Sequence, residues 1–234
     1  MSHVQRWIRR ALWDVVPRDQ RDTPHQLRRR QAVTIAVVAL GMVWLGISLR
    51  IEPGSRWFYA STVALAAIWT VGAFASGRLH LGRIAFGERH IRPIVTPIVL
   101  GMLLAGVFMA GAVLVERVPA LAGLESQVDS VLDYADAGSV PILIVIATMN
   151  GIAEELFFRG AAFAAITRHP VGWTTAMYAV ATLATGNVML AFAAVLLGGV
   201  CGLQRRASGG ILAPILTHCT WSLAMLLLLP VVFS

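Results

Sequence analysis

Lysine is missing from this chain altogether, and charge of any kind is scarce. Of 234 residues 13% are charged and 57% hydrophobic, and the mean hydropathy is +0.73. So little charge excludes a soluble domain and indicates a polytopic membrane protein. Because all nineteen basic residues are arginine, the missing lysine reads as a genomic composition bias with no mechanistic content. Cysteine is also scarce. Cys201 and Cys219 fall in separate apolar runs without ligand-like spacing, which favours small packing residues over a thiolate metal site. No internal repeat and no segment with the composition of a separate soluble domain is present. No small-residue cleavage site ends the first apolar run, so that run is expected to remain as an uncleaved span. The net charge of +7 comes from arginines in the N-terminal tail and in short loops between apolar runs. That distribution follows positive-inside topology, excludes a nucleic-acid partner, and points to the lipid bilayer and its anionic headgroups.

Residues 1–31 carry eight arginines. Val4, Trp7, Ile8, Leu12 and Val15 fall near one helical face with Arg6, Arg9 and Arg10 away from it, which predicts a basic, interfacial amphipathic helix on the cytoplasmic side. Residues 32–234 form the membrane domain of an all-α helix bundle. A crossing needs about 20 residues, and seven runs are predicted as spans: Ala32 to Leu49, Trp57 to Ser76, Ile94 to Val115, Val140 to Ala162, Val171 to Thr185, Val188 to Leu203 and Ile211 to Val231. The fifth and sixth are short, with only Gly186 and Asn187 between them, and are expected to form a tight hairpin. Threaded from a cytoplasmic N-terminus, Arg78, Arg83, Arg89, Arg92, Arg168, Arg205 and Arg206 fall inside. The loop with Glu116, Glu125, Asp129, Asp133 and Asp136 falls outside, as does the C-terminus. An even number of spans remains open if that loop dips into the membrane. The charge asymmetry makes this a multi-pass protein of the cell membrane.

The chain is organised around Asn150-Gly-Ile-Ala-Glu-Glu-Leu-Phe-Phe-Arg159, which sets Glu154, Glu155 and Arg159 inside an apolar span. A charge at bilayer depth costs roughly 2.5–3.5 kcal/mol on insertion scales, so each must be paired, hydrated or chemically employed. Glu155 and Arg159 have the favourable i, i+4 order for a helical ion pair. Glu154 is left over, about 100° around the helix from Glu155 and on the face of Asn150 and Phe158. A spare carboxylate in an apolar pocket suits a general base, although a packing ion pair or a helix end at the interface would also account for these charges. His218 is the only histidine within a span. At 1.5 Å per residue Glu154 lies about 20 Å from Val140, His218 about 13 Å above the start of its helix and Thr182 about 16 Å above the start of its own. Three polar positions on three helices thus fall at similar depth, and a shared site is expected.

Glu154-Glu155-Leu-Phe-Phe-Arg159 resembles the EExxxR signature of the CPBP intramembrane metalloproteases, which include the type II CAAX prenyl endopeptidases and the Abi proteins. Thr174 to Thr182 is similar to that family's second helix, which usually ends FxxxH. Leu197 to Gly202 and Gly210-Ile-Leu-Ala-Pro-Ile-Leu-Thr-His218 are similar to its glycine-containing span and its final histidine motif, usually HxxxN or HxxxD. The resemblance covers about 141–229. It implies a membrane metalloendopeptidase with its site open toward the cytoplasmic side and a membrane-associated peptide or protein as substrate. Carried over, Glu154 activates water, Glu155 and Arg159 order the site, and His218, with Glu154, holds a zinc ion or polarises that water.

Two positions depart from the pattern. Thr182 stands where histidine is usual, with Tyr178 in the phenylalanine place, and Ser222 stands where asparagine or aspartate is usual. Catalytic zinc usually has three protein ligands, so Thr182 leaves the set incomplete, and the amides of Asn150 and Asn187 are the nearest compensating groups. Glu154 and water can also work without a metal as base and nucleophile. Two alternatives to the endopeptidase stay open. One is a proteolytically silent relative that binds a membrane protein or peptide, with Thr182 and Ser222 as its support. The other is a proton-coupled transporter carrying protons on Glu154, against which stands the lack of inverted repeats.

Overall fold

The computed structural model describes residues 2–17, 20–48, 51, 54–118, 123–124, 127–128, 132 and 139–232. Among them the helices are α1 (His3–Leu12), α2 (Pro24–Ser48), α3 (Arg56–Ser76), α4 (Val95–Arg117), α5 (Val140–Ala165), α6 (Pro170–Leu183), α7 (Val188–Ser208) and α8 (Leu212–Val232). The protein is an all-α, multi-pass helix bundle. In lipid only helices satisfy every backbone group within one segment, and the apolar side chains on the outer faces, such as Ile35, Val63 and Val107, are correspondingly exposed.

Each of the seven predicted runs forms a helix. Six of them, α2 to α5, α7 and α8, are long and apolar enough to cross a membrane. The exception is α6, whose 14 residues extend about 21 Å before the turn at Gly186 (φ +75°). Its ends nonetheless lie at opposite faces of the bundle: Val171 packs against Gly202 near the end of α7, while Asn187 donates to the Gln127 carbonyl at 2.8 Å. Of the acidic loop, Glu125, Asp129, Asp133 and Asp136 lie outside the described residues.

Helix α1 forms as expected, opened by a reciprocal capping box between Ser2 and Gln5. It lies across the end of α7, with the Arg206 guanidinium 5.1 Å from the Trp13 ring. Val4 and Trp13 remain exposed, as an interfacial segment requires. The helix of the first span begins at Pro24, earlier than its apolar run. Arg28, Arg29 and Arg30 are therefore helical residues, and Arg30 is buried through bonds to Asp22, Ser76 and the Arg78 carbonyl. A short hairpin, β1 (Ile84–Phe86) with antiparallel β2 (Arg89–Ile91), occupies the loop before α4 and was not expected from the sequence.

The arginine-bearing face is tied together through backbone. The segment before β1 pairs with the turn between α7 and α8: the Ile211 N–H donates to the His80 carbonyl and the Arg83 N–H to that of Ser208, each at 2.9 Å. Gly82 (φ +82°) and Gly210 meet at this crossing, where a Cβ on Gly210 would sit 2.0 Å from the Gly82 nitrogen. The main core lies between α2, α3, α5 and the start of α8, where Trp69 packs on Phe157 and Phe158 at centroid distances of 4.7 and 5.3 Å. It anchors α5, the helix that carries the acidic motif.

Candidate active site

The motif does not sit on a regular α-helix. Residues Glu155–Ala162 wind as a π-helix inside α5, a distortion often found at functional sites. The Phe163 N–H consequently bonds the carbonyls of Phe158 and Gly160. The Arg159 carbonyl accepts from Arg205 Nε at 2.7 Å, so α7 braces the distorted segment. Leu79 and Ile211 approach Gly160 on the arginine-bearing side and close the motif from that face.

Within this segment Glu155 and Arg159 pair at 2.9 Å and are both fully buried. A Cβ on Gly198 would lie 3.0 Å from Arg159 Nη2, so the glycine-containing span leaves space for the guanidinium. The other face of Arg159 stacks 4.9 Å from the Tyr178 ring centre, a cation–π contact. His218 Nδ1 lies 2.8 Å from the same Glu155 oxygen. With Nδ1–H donating to that carboxylate, a neutral imidazole turns its Nε2 lone pair away from Glu155. His218 Nε2 then faces Glu154 Oε2 at 3.9 Å, beyond a direct hydrogen bond but within reach of a bridging water or substrate atom. Glu154 is the accessible carboxylate, with its side chain 23% exposed against 0% for Glu155. Its Oε2 accepts from the Tyr178 hydroxyl at 2.6 Å.

Glu154, Glu155, Arg159 and His218 therefore come together on α5 and α8. Thr182 does not join them, because its hydroxyl donates to the Tyr178 carbonyl one turn back at 2.9 Å. The group of α6 that reaches the carboxylate is Tyr178, which sequence reasoning noted only as a departure; a phenol at an apolar motif position was the available signal. Asn150 donates to the Ile146 carbonyl of its own helix, and Asn187 caps α7 and binds Gln127. Neither amide compensates for the missing histidine, because each is held by nearby backbone. Ser222 lines an apolar cavity.

That cavity has a volume of about 670 Å³ and lies beyond His218, in the half of the bundle away from Arg159 and Arg205. Ala112, Leu143, Leu190 and Leu229 line it, and among the described lining residues Ser222, one turn from His218, contributes the only hydroxyl. The resemblance implies an opening toward the cytoplasmic side; here Leu79 and Ile211 cover the motif at Gly160 on the arginine-bearing side, and the residues that line the cavity do not include Glu154, Tyr178 or His218.

A zinc ion finds too few donors. Among the described residues, no three His, Cys, Asp or Glu side chains are placed to share a metal. His218 Nδ1 is committed to Glu155 and Glu154 Oε2 to Tyr178, which leaves Nε2 and one carboxylate oxygen where catalytic zinc usually takes three ligands. This donor set does not fit the metal.

Residues 136–224 match the family model described as type II CAAX prenyl endopeptidase Rce1-like. No curated protein and no solved structure matches the chain. The matched stretch takes in α5, α6, α7 and the half of α8 that carries His218, the same elements that carry the motifs similar to the CPBP family.

Proposed function

We propose that this protein is an intramembrane endopeptidase that hydrolyses a peptide bond in an apolar, membrane-embedded segment. The observation that carries the reading is Glu154, an accessible carboxylate within a buried cluster, 3.9 Å from a histidine nitrogen. With Arg159 neutralising Glu155, the remaining negative charge falls on Glu154, which accepts a proton from water as that water attacks the scissile carbonyl. Glu155 holds the His218 imidazole so that Nε2 orients the same water. The apolar cavity beyond His218 accommodates the apolar flank of the substrate. No step passes through a metal.

The arginine-bearing face is assigned to the cytoplasm, with Ser234 outside; a cytoplasmic signal from a reporter fused at Ser234 would overturn that orientation. A silent relative that binds a membrane peptide is the second reading, favoured by Thr182 bonding backbone and Ser222 facing the cavity. Cleavage of a membrane-tethered peptide by the reconstituted full chain, with and without a zinc chelator, separates them. Chelator-resistant cleavage that Glu154→Gln removes supports the peptidase. Binding of the peptide without cleavage favours the silent relative.

A further inference from the structure

Resting on the endopeptidase reading above, we infer that Tyr178 is a catalytic residue whose phenol O–H stabilises the oxyanion formed at the scissile carbonyl. Elimination among the groups around Glu154 leads to it. Thr182 gives its hydroxyl hydrogen to the Tyr178 carbonyl, and Asn150 gives its amide to Ile146. Arg159 gives Nη1 to Glu155 and stacks on the Tyr178 ring; its Nε and Nη2 have no hydrogen-bond partner among the described residues, but the guanidinium is fully buried, with Nη2 against Gly198. His218, with its Nδ1 proton on Glu155, offers an acceptor at Nε2. Among the described residues the hydroxyl of Tyr178 is the donor that contacts Glu154, at 2.6 Å. Its ring is held at 5.0 Å from Phe158 and 6.3 Å from His218, so the hydroxyl is fixed beside the gap between Glu154 and His218 Nε2.

The sequence of steps follows from that position. Water oxygen bonds to the carbonyl carbon, the carbonyl π pair moves to oxygen, and one water proton passes to Glu154. The carboxyl group, now neutral, no longer holds the phenol as strongly, and the O–H turns to the new oxyanion. On collapse the carbon–nitrogen bond breaks and Glu154 returns its proton to the leaving nitrogen, giving an amine and a carboxylic acid. Tyr178 begins and ends protonated. A donor held within reach of the developing charge can be a large contribution to such a reaction. A phenol can supply it here without a third metal ligand.

The test uses the full chain in vesicles with a membrane-tethered peptide. Tyr178→Phe is expected to lower kcat about 100-fold, in the range seen when one oxyanion donor is removed, while KM stays within about threefold and the melting temperature is retained. Incorporating 3-fluorotyrosine and 3,5-difluorotyrosine at position 178 changes phenol acidity with little change in size, and kcat should follow that acidity. A packing role would leave it constant. In the infrared, the Glu154 carboxyl band, assigned by its loss in Glu154→Gln, should shift in Tyr178→Phe. Wild-type cleavage with a Tyr178→Phe kcat within about threefold of it, or fluorinated variants that do not differ, would overturn the role of Tyr178 alone. Absence of Glu154-dependent cleavage in the wild type would overturn the endopeptidase reading and this inference with it.

Discussion

On the arginine-bearing side of the bundle many polar side chains are buried against partners, whereas on the far side lies a cavity whose described lining carries a single hydroxyl, that of Ser222. Arg30 holds Asp22 of the preceding loop and Arg159 holds Glu155 within α5, while Arg205 holds the Arg159 carbonyl and Gln204 reaches Thr217 across helices. The cavity of about 670 Å³ is lined instead by residues such as Val128, Phe192 and Leu229. The difference separates two tasks. Directional bonds fix side-chain geometry to fractions of an ångström, which a proton-transfer site needs. Non-directional apolar walls accept a chain of variable sequence, as recognition of a membrane segment needs. Glu154 and His218 belong to the braced half, with Ser222 of the cavity lining one turn from His218.

The largest effect should come from breaking the braced half. Glu155→Ala would strand Arg159, fully buried, and remove the partner of His218 Nδ1. Losing one member of a buried pair typically costs about 3–5 kcal/mol, so this variant should melt much lower in detergent and insert in reduced yield, whereas Glu154→Ala should melt close to wild type. Equal losses for the two would make Glu154 a structural residue.

A smaller effect is expected in the open half. Ala147→Phe and Ala193→Phe place rings in the cavity from α5 and α7. Each should lower kcat/KM for a membrane-tethered peptide about tenfold, the equivalent of roughly 1.4 kcal/mol, without lowering the melting temperature. Unchanged kcat/KM for both would disconnect the cavity from the substrate.

The smallest effect concerns His80, in the loop that closes the arginine-bearing face. Burial, reinforced by Arg205, Arg78 and Arg30 and opposed by Asp22, holds its pKa below the ordinary 6.5. The unfolded chain therefore binds this proton more readily than the folded one, and stability falls as pH drops below about 6.5 toward the lower folded value. His80→Gln should flatten the dependence of melting temperature on pH in that window. An identical slope would show that the loop carries no such linkage.

The helices were legible because apolar run length is a direct consequence of bilayer thickness, and the Glu155–Arg159 pair because spacing and charge alone specify it. The meeting of Glu154 with His218 followed from equal depth on two helices. Tyr178 escaped because its approach to Glu154 depends on how α5 and α6 rotate against each other, which periodicity does not encode. The π-helical turn escaped for a related reason, since it is braced by Arg205 from α7, 46 positions along the chain. Thr182, one turn beyond Tyr178, does not join the site because threonine can satisfy its hydroxyl on its own helix, here on the Tyr178 carbonyl.

The central claim is that Glu154 is a working general base. Its most direct test is the rate of cleavage of a membrane-tethered peptide by reconstituted wild type and Glu154→Gln, an isosteric change. The account predicts cleavage by the wild type and a loss of about 10²–10⁴-fold in the variant, the usual contribution of a positioned base, with the melting temperature preserved. Equal rates for the two proteins, or no cleavage by either, would contradict it.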